Sequence, residues 1–333
     1  MNQSELRNRL VKRLTNFDEN QFEEIAFEIF NYQKKYNLLY HQFLQLIDKE
    51  HINPNSLDEI PFLPIEFFKS HVVKTGEWNH QTYFSSSGTT QSNTSKHFIR
   101  DLEGYSTNAQ KGFEYFYGPI EDYLILALLP SYLEQTGSSL IYMIDTFIGK
   151  SKFPKSGFFL RDYELIVQEI INHLEWGKEK VLLFGVSFAL LDFVEKVETK
   201  FGDQLIVMET GGMKGRRKEL TRSDLHNRLK NGFGVSRIHS EYGMTELLSQ
   251  AYSKESGKFE CTPFMKILIR DLTNPFGYVK NGTNGGINII DLLNLDTIAF
   301  IATEDLGAQG IGGQFEVKGR IDFSDIRGCN LLV

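Results

Sequence analysis

Three apolar runs with helix-like segments between them constrain the fold of this chain more than any other feature of its sequence. The first run, residues 123–129, is continuously apolar, as expected for a strand that is buried on both faces of a parallel sheet. The runs 181–184 and 205–208 each follow a segment with helical character, near 161–175 and 187–200. Strands that alternate with helices predict an α/β core with a largely parallel sheet.

The remaining sequence predicts two further parts around this core. Residues 1–80 form an N-terminal helical segment packed on the core, because apolar residues recur there at helical spacing. The core extends over 81–256, where Thr221 with Asp224 three positions later predicts the N-terminal cap of a helix. Residues 257–333 form a β-rich part with Gly- and Asn-rich turns, which favours mostly antiparallel strands or a distorted barrel.

Composition argues against several classes of protein. With 333 residues, of which 41% are hydrophobic, the chain can bury a large ordered core. A net charge of −7 argues against a nucleic-acid partner, because surfaces that bind nucleic acid are normally basic. The two cysteines cannot form a disulfide scaffold, and the first residues lack the apolar core of a signal peptide. Since no stretch approaches the roughly 18 to 20 apolar residues of a membrane span, we expect a cytoplasmic protein without one.

A polar loop between Phe84 and Phe98 is the first candidate binding site. Its thirteen residues include no large apolar side chain, so the loop cannot belong to the core. Backbone N–H groups and hydroxyls together form a concavity suited to phosphate, although a Walker A motif is absent. The donors that we predict are Ser86, Ser87, Gly88, Thr89 and Thr90. Taken alone, the loop is also compatible with a flexible surface segment.

Three downstream motifs occur in an order that indicates ATP binding. They are Tyr-Gly-Met-Thr-Glu at 242–246, Thr-Glu-Asp-Leu-Gly at 303–307 and Gly-Arg-Ile-Asp at 319–322. Mg²⁺ usually takes one or two protein carboxylates plus substrate phosphates, and a carboxylate has enough acceptor sites for both hydroxyls of a ribose. Together with the polar loop, the ordered set resembles the adenylate-forming superfamily of acyl-CoA synthetases, luciferases and adenylation domains.

Three other segments indicate one branch of that superfamily. Residues 61–69, 209–215 and 327–329 are similar to the acyl-protein synthetase family of long-chain-fatty-acid–luciferin-component ligases, with phenylacetate-CoA ligases as the next-nearest relatives. The resemblance implies the N-terminal domain of an adenylate-forming enzyme, with mostly parallel sheets, flanking helices and a smaller β region. Since the sequence ends thirteen residues after Arg320, we expect the usual C-terminal lid domain and its lysine to be absent.

The resemblance also implies roles for single residues. Glu246 would bind Mg²⁺, and Thr245 would contact the α-phosphate. Asp305 would hold the ribose, and Arg320 would reach ribose and phosphate, where its fork of donors suits anionic oxygens. The other implied nucleotide contacts are the phosphate ligand Lys96, the pocket glycines Gly211 and Gly212, the adenine-stacking Tyr242, and Gly243, which admits the nucleotide close to the backbone. Each of these motifs, taken alone, is also compatible with an ordinary turn or a surface residue.

The implied function is a two-step reaction that uses ATP and Mg²⁺. A fatty acid or other carboxylic acid would attack the α-phosphate, giving an acyl-adenylate and pyrophosphate, and the acyl group would then pass to a thiol. In an acyl-protein synthetase, a partner protein would accept or donate the acyl group. Two alternatives stay open, a carboxylate–CoA or acyl-carrier-protein ligase of the phenylacetate-CoA ligase type and a non-catalytic nucleotide-binding descendant.

Cys329 is the predicted acyl-accepting residue. It lies nine residues after Arg320, in a position comparable to the near-terminal acylated cysteine that the resemblance implies. Arg327 nearby would favour the reactive thiolate. The alternative is that Cys329 is buried as a small hydrophobic residue, and Cys261 is a weaker candidate for the acylated thiol.

Overall fold

A computed structural model describes residues 2–86, 94–129, 137–176, 180–211 and 220–321 of the chain. The α-helices in these ranges are α1 (Gln3–Thr15), α2 (Phe22–Tyr36), α3 (Leu38–Leu46), α4 (Phe67–Ser70), α5 (Leu102–Tyr117), α6 (Ser139–Lys150), α7 (Tyr163–Trp176), α8 (Ser187–Lys196) and α9 (Arg222–Phe233). The strands are β1 (Leu63–Pro64), β2 (Thr82–Ser85), β3 (Lys96–Ile99), β4 (Tyr123–Leu128), β5 (Gly157–Phe158), β6 (Lys180–Val186), β7 (Leu205–Thr210), β8 (His239–Tyr242), β9 (Ala251–Ser253), β10 (Lys258–Cys261), β11 (Met265–Arg270), β12 (Gly285–Asp291), β13 (Phe300–Gln309) and β14 (Phe315–Arg320). Over the same ranges, no helix has both the length and the apolar character needed to cross a membrane.

The predicted α/β core is the parallel half of a large sheet. β4 pairs with β5 and β6, β6 with β7, and β7 with β8, all in parallel. Every residue of β4 is buried, as its apolar run predicts, and α5 to α9 contribute to the same hydrophobic cluster. The Thr221 side chain accepts a hydrogen bond from the backbone N–H of Asp224, which confirms the predicted cap of α9.

Beyond β8 the sheet continues as an antiparallel half. Its strands follow the order β8, β9, β10, β14, β13, β12, β11. β14 therefore lies between β10 and β13 and pairs with both. The predicted antiparallel region is confirmed, and it extends the core sheet rather than forming a separate barrel. The domain boundaries at 80/81 and 256/257 stay predictions, and the sheet is continuous across the second.

The N-terminal helices pack on this antiparallel half. Residues of α1, α2 and α3 share a second hydrophobic cluster with β11, β12 and β13. Gln33 in α2 is fully buried, and its Nε2 donates to the carbonyls of Asn294 and Leu295 at 2.9 and 3.1 Å. Its Oε1 accepts a hydrogen bond from the backbone N–H of Ala299 at 3.0 Å. Because buried backbone groups must be paired, this single side chain connects α2 to the segment that precedes β13.

Gln33→Ala is expected to lower the free energy of unfolding by about 2–4 kcal/mol, because three buried backbone groups lose their partner. Equilibrium unfolding in urea measures the effect. Gln45→Ala, at an exposed position of α3, is the matched control and should change stability by no more than about 0.5 kcal/mol. Equal effects of the two substitutions would contradict the role given to Gln33.

Candidate active site

A cavity of about 590 Å³ lies where β7 and β8 end. Ligands of open α/β sheets usually bind at this edge, beyond the carboxyl ends of the parallel strands. Residues of β13 and β14 and both ends of the polar loop complete the wall of the cavity. It brings together seven predicted site residues that are far apart in sequence, Ser86, Gly211, Gly243, Thr245, Glu246, Asp305 and Arg320.

The polar loop begins and ends at this cavity. The backbone N–H of Ser95 donates to the Ser86 hydroxyl at 2.9 Å, and the backbone N–H of Ser86 donates to the Ser95 carbonyl at 3.2 Å. These bonds fix the two ends of the loop beside the other site residues. Outside the described residues lie the predicted phosphate donors Ser87, Gly88, Thr89 and Thr90.

Side chains from distant parts of the chain fix the turn that carries Thr245 and Glu246. Buried His97 donates through Nδ1 to the Thr245 carbonyl at 2.9 Å, and its Nε2 accepts from the Thr297 hydroxyl at 3.1 Å. Burial lowers the pKa of His97 to about 4, so the neutral imidazole makes both bonds. Asn294 donates from Nδ2 to the Glu246 carbonyl at 2.8 Å.

Asp291, the last residue of β12, anchors the residues that follow this turn. Its carboxylate accepts from the backbone N–H groups of Leu248 and Ser249 at 2.8 and 2.9 Å. It also accepts from the Ser249 hydroxyl at 2.6 Å and from the backbone N–H of Leu293 at 3.1 Å. Burial raises the pKa of Asp291, while these hydrogen bonds oppose that shift and stabilise the charged form.

Glu246 is a buried carboxylate in the wall of the cavity. Its side chain is almost fully buried in the cavity wall, and burial raises its pKa. The charges of Lys69 and Arg320 oppose this rise in the pKa of Glu246, but both cations are paired with another carboxylate. They lie 3.7 and 3.8 Å from that of Glu304. Within the described part of the chain, no cluster of three or more His, Cys, Asp or Glu residues could hold a metal ion. A cation bound by Glu246 would therefore take most of its ligands from substrate and water.

Asp305 and Arg320 face each other across the antiparallel pair β13–β14. This register explains why two motifs separated in sequence meet in the cavity. The Tyr242 hydroxyl donates to Asp305 Oδ2 at 2.7 Å. Arg320 Nε lies 3.9 Å from Oδ1 of the same carboxylate, but its side chain is 78% exposed, so this ion pair adds little stability.

The ring of Tyr242 packs behind Asp305 rather than in the cavity. Its centroid lies 5.8 Å from that of Phe259 and 5.6 Å from that of Phe315. Its buried hydroxyl, bonded to Asp305, orients the carboxylate predicted to hold the ribose. The predicted stacking of Tyr242 on adenine stays a prediction.

Among the predicted site residues that the structure describes, Lys96 has the position that departs most from its predicted role as a phosphate ligand. Its side chain is exposed at the start of β3, and Nζ lies 5.6 Å from the centroid of the Tyr83 ring. Lys96 does not itself line the cavity, although its neighbour Ser95 and its strand partner Ser85 do. The predicted pocket residue Gly212 and the predicted nucleophile Cys329 lie outside the described residues.

Sequence reasoning missed several residues at or behind the site, and four of them bear charged or titratable side chains near its centre. Lys69 and Glu241 line the cavity, and His97 and Asp291 hold its turn. Glu241 directly precedes the 242–246 motif, so a wider motif would have included it. The two anchoring residues carry no local signal, because each acts through a contact distant in sequence.

This sheet, with its cavity, is similar in fold to solved structures of two ligases. The structure of 2-hydroxyisobutyryl-CoA ligase in an open conformation, in complex with 2-HIB-AMP and CoA, matches 90% of this chain and 70% of its own, with a TM-score of 0.65 and 11% identity. ATP-bound MatB from Rhodopseudomonas palustris matches 72% of this chain with a TM-score of 0.52 and 15% identity. This chain spans 47%, about half, of the length of MatB. At these identities the likeness shows a shared fold.

The family follows from the sequence itself. The sequence model of the acyl-protein synthetase family, LuxE, matches residues 15–333, and the chain belongs to this family. A search of curated proteins gave no match. The predicted family is confirmed, and so is the predicted α/β fold with a large sheet and flanking helices.

The stability contributed by His97 is expected to decrease as the pH falls from 6.5 to 4. An unfolded histidine titrates near 6.5 and His97 in the folded chain near 4, so protonation over this window favours the unfolded chain. The advantage of the wild type over His97→Gln in urea unfolding should shrink by up to about 3 kcal/mol across the window. His51→Gln, at a 95% exposed side chain, is the control. A constant difference between wild type and His97→Gln would contradict a neutral buried imidazole.

Proposed function

We propose that this protein activates a carboxylic acid with ATP as an acyl-adenylate and transfers the acyl group to a thiol. The observation that carries the proposal is the convergence of Thr245, Glu246, Asp305 and Arg320 on one cavity, which also receives both ends of the polar loop. Membership of the acyl-protein synthetase family supports the same chemistry. The acid is a fatty acid or another carboxylic acid.

In the first step a carboxylate oxygen attacks the α-phosphorus of ATP, and pyrophosphate leaves with the electrons of the broken P–O bond. Catalysis of such a step consists mainly of positioning and charge neutralisation. Thr245 lines the cavity and would contact the α-phosphate, and Arg320, mostly exposed, can bring its guanidinium to the phosphates. Asp305 keeps acceptor sites for the ribose hydroxyls, because Tyr242 uses one of its oxygens.

Glu246 is the residue that fits a Mg²⁺ ion. A buried carboxylate in the cavity wall, with the neighbouring cations turned toward Glu304, is stabilised by a divalent cation. Mg²⁺ at this position would neutralise phosphate charge during adenylation. The remaining metal ligands would come from substrate oxygens and water.

In the second step a thiol sulfur attacks the acyl carbon, AMP leaves, and the thiol proton passes to solvent. Cys329 is the proposed acceptor, although it lies outside the described residues. The last described residue, Ile321, donates its backbone N–H to the carbonyl of the cavity residue Glu304 at 2.7 Å. Cys329 is eight residues after Ile321, a stretch that can span at most about 28 Å, so the thiol is within reach of the cavity. Burial raises the pKa of the other thiol, Cys261, to about 12, which makes it a poor nucleophile.

The external partner in this proposal is one of three: a partner protein that accepts or donates the acyl group, a carrier protein, or CoA. The ligase neighbours support CoA only as an alternative, because they show the fold alone. The low cysteine content and the ATP-dependent chemistry support a cytoplasmic location.

Glu246→Gln is expected to reduce acid-dependent pyrophosphate release by about 100-fold or more, because the metal ligand is lost while the side-chain volume is kept. Release is measured with Mg·ATP and a panel of carboxylic acids. Glu23→Gln, at an exposed position of α2, is the matched control and should act like the wild type. A near-wild-type rate in a variant with wild-type thermal unfolding would contradict the assignment of the metal ligand.

The acceptor is tested by intact-protein mass spectrometry. A hydroxylamine-sensitive acyl adduct that requires ATP should form in the wild type and in Cys261→Ser and be absent in Cys329→Ser. Pyrophosphate release should persist in Cys329→Ser, because the thiol acts only after adenylation. An adduct in folded Cys329→Ser, or none in the wild type during turnover, would transfer the acceptor role to CoA or a partner protein.

A further inference from the structure

Glu241 is a buried carboxylic acid in the wall of the cavity, and the proposed reaction does not use it. It is the third residue of β8, its exposed fraction is 6%, and it lines the cavity together with Gly243. The Thr210 hydroxyl, on the neighbouring strand β7, donates to Oε2. A Cβ atom at Gly243 would lie 2.5 Å from Oε1, so this carboxyl oxygen rests against the backbone of Gly243.

Glu241 faces no compensating cation in the described part of the chain. The neighbouring acid Glu209 is paired with Arg222 at 2.6 Å and with His226 at 3.4 Å. Glu241 instead has the Thr210 hydroxyl as its partner, and Tyr105 and Tyr252 are the other titratable groups whose charge interacts with it. Burial, aided by the charge of Glu209, raises the pKa of Glu241 to about 7. A buried carboxyl with one donor is costly unless a ligand completes its hydrogen bonding.

The wall around this carboxyl has the polarity of a recognition site. Gln250, Tyr105 and Thr210 line the cavity with Glu241, and the apolar residues Leu140 and Met143 line another part of it. The Thr210 hydroxyl donates to Oε2 of Glu241, so an unbranched alkyl chain would offer no donor to Oε1, whereas a hydroxyl or amino group of the substrate would supply one.

The position of Glu241 also indicates where on the substrate that donor belongs. One carboxyl oxygen of Glu241 rests against Gly243. Thr245, the predicted α-phosphate contact, is two residues after Gly243, so the Cα atoms of these two residues are at most about 7 Å apart. A group that meets Glu241 is therefore close to the reacting carboxylate rather than at the far end of a long chain.

We propose that Glu241 is a specificity-determining residue that binds a hydroxyl or amino group carried by the substrate acid near its carboxylate. The inference rests on the proposed function, because it names the class of acid that the same site activates. A site that hydrogen-bonds a substrate group discriminates strongly against the analogue that lacks it, since the protein group is then left buried and unpaired.

The test is acid-dependent ATP–pyrophosphate exchange by the full chain, with butanoate, 3-hydroxybutanoate and 3-aminobutanoate and the corresponding octanoates. The wild type should show a kcat/KM about 100-fold or more higher with one substituted acid than with its parent. Glu241→Met, which removes both oxygens, should reduce that preference to below about 10-fold or reverse it. Glu255→Gln, at an exposed position, is the matched control and should keep the wild-type preference.

Glu241→Gln distinguishes a hydroxyl donor from an amino donor on the substrate. It also provides the test if the Glu241→Met variant does not fold. Its amide oxygen still accepts from a hydroxyl but no longer pairs with an ammonium charge. A preference for the hydroxy acid should therefore survive in Glu241→Gln, whereas a preference for the amino acid should be lost.

Three outcomes would overturn the inference in different ways. If the wild type uses the unsubstituted acids as well as the substituted ones, and Glu241→Gln shows the same pattern, the specificity role fails while the proposed reaction stands. If none of these acids supports exchange by folded wild-type protein while an unsubstituted acid of the wider panel does, the inference fails and the proposed reaction stands; if no carboxylic acid of either panel does, the proposed function fails as well.

Discussion

The carboxylate of Asp291 is the interaction on which the geometry of the site most depends. A charged group in the core is unfavourable unless donors surround it, and four hydrogen bonds from three residues do so here. Those donors belong to the segment after Glu246 and to the 3₁₀ helix Leu292–Asp296. Asn294 of that helix also holds the Glu246 carbonyl, and Gln33 of α2 holds the helix from the other side. A chain of contacts from α2 through the 3₁₀ helix therefore fixes the turn that carries the predicted metal ligand Glu246.

The cavity lies where two hydrophobic clusters meet. One cluster packs α5 to α9 on the parallel strands, and the other packs α1 to α3 on the antiparallel strands. The parallel half provides Gly211, whose positive φ of 66° turns the chain out of β7 beside the cavity. The antiparallel half provides Asp305 and Arg320. Strand register therefore brings Asp305 and Arg320 together, whereas side-chain contacts to the turn place Thr245 and Glu246.

The parts of the fold that the sequence predicts are those with a strong local signal. The apolar runs become β4, β6 and β7 because strands buried on both faces cannot tolerate polar side chains. Helix α6 is not predicted, since the apolar residues 140–144 suit a strand as well as a helix.

The same limit applies to the site. Its motifs predict that Thr245, Glu246, Asp305 and Arg320 belong together, and they line one cavity. They do not predict that the Tyr242 ring packs against Phe259 and Phe315, because those residues belong to two other strands.

The inner position of β14 has a consequence for how the protein matures. This strand comes last among the described strands, yet it pairs with β10 on one side and β13 on the other. Until it is made, a growing chain presents two unpaired strand edges, which are templates for association with other chains. Insertion of β14 removes both edges and brings Arg320 opposite Asp305 in the same event. A ligand that binds only the completed sheet would favour the inserted state by mass action.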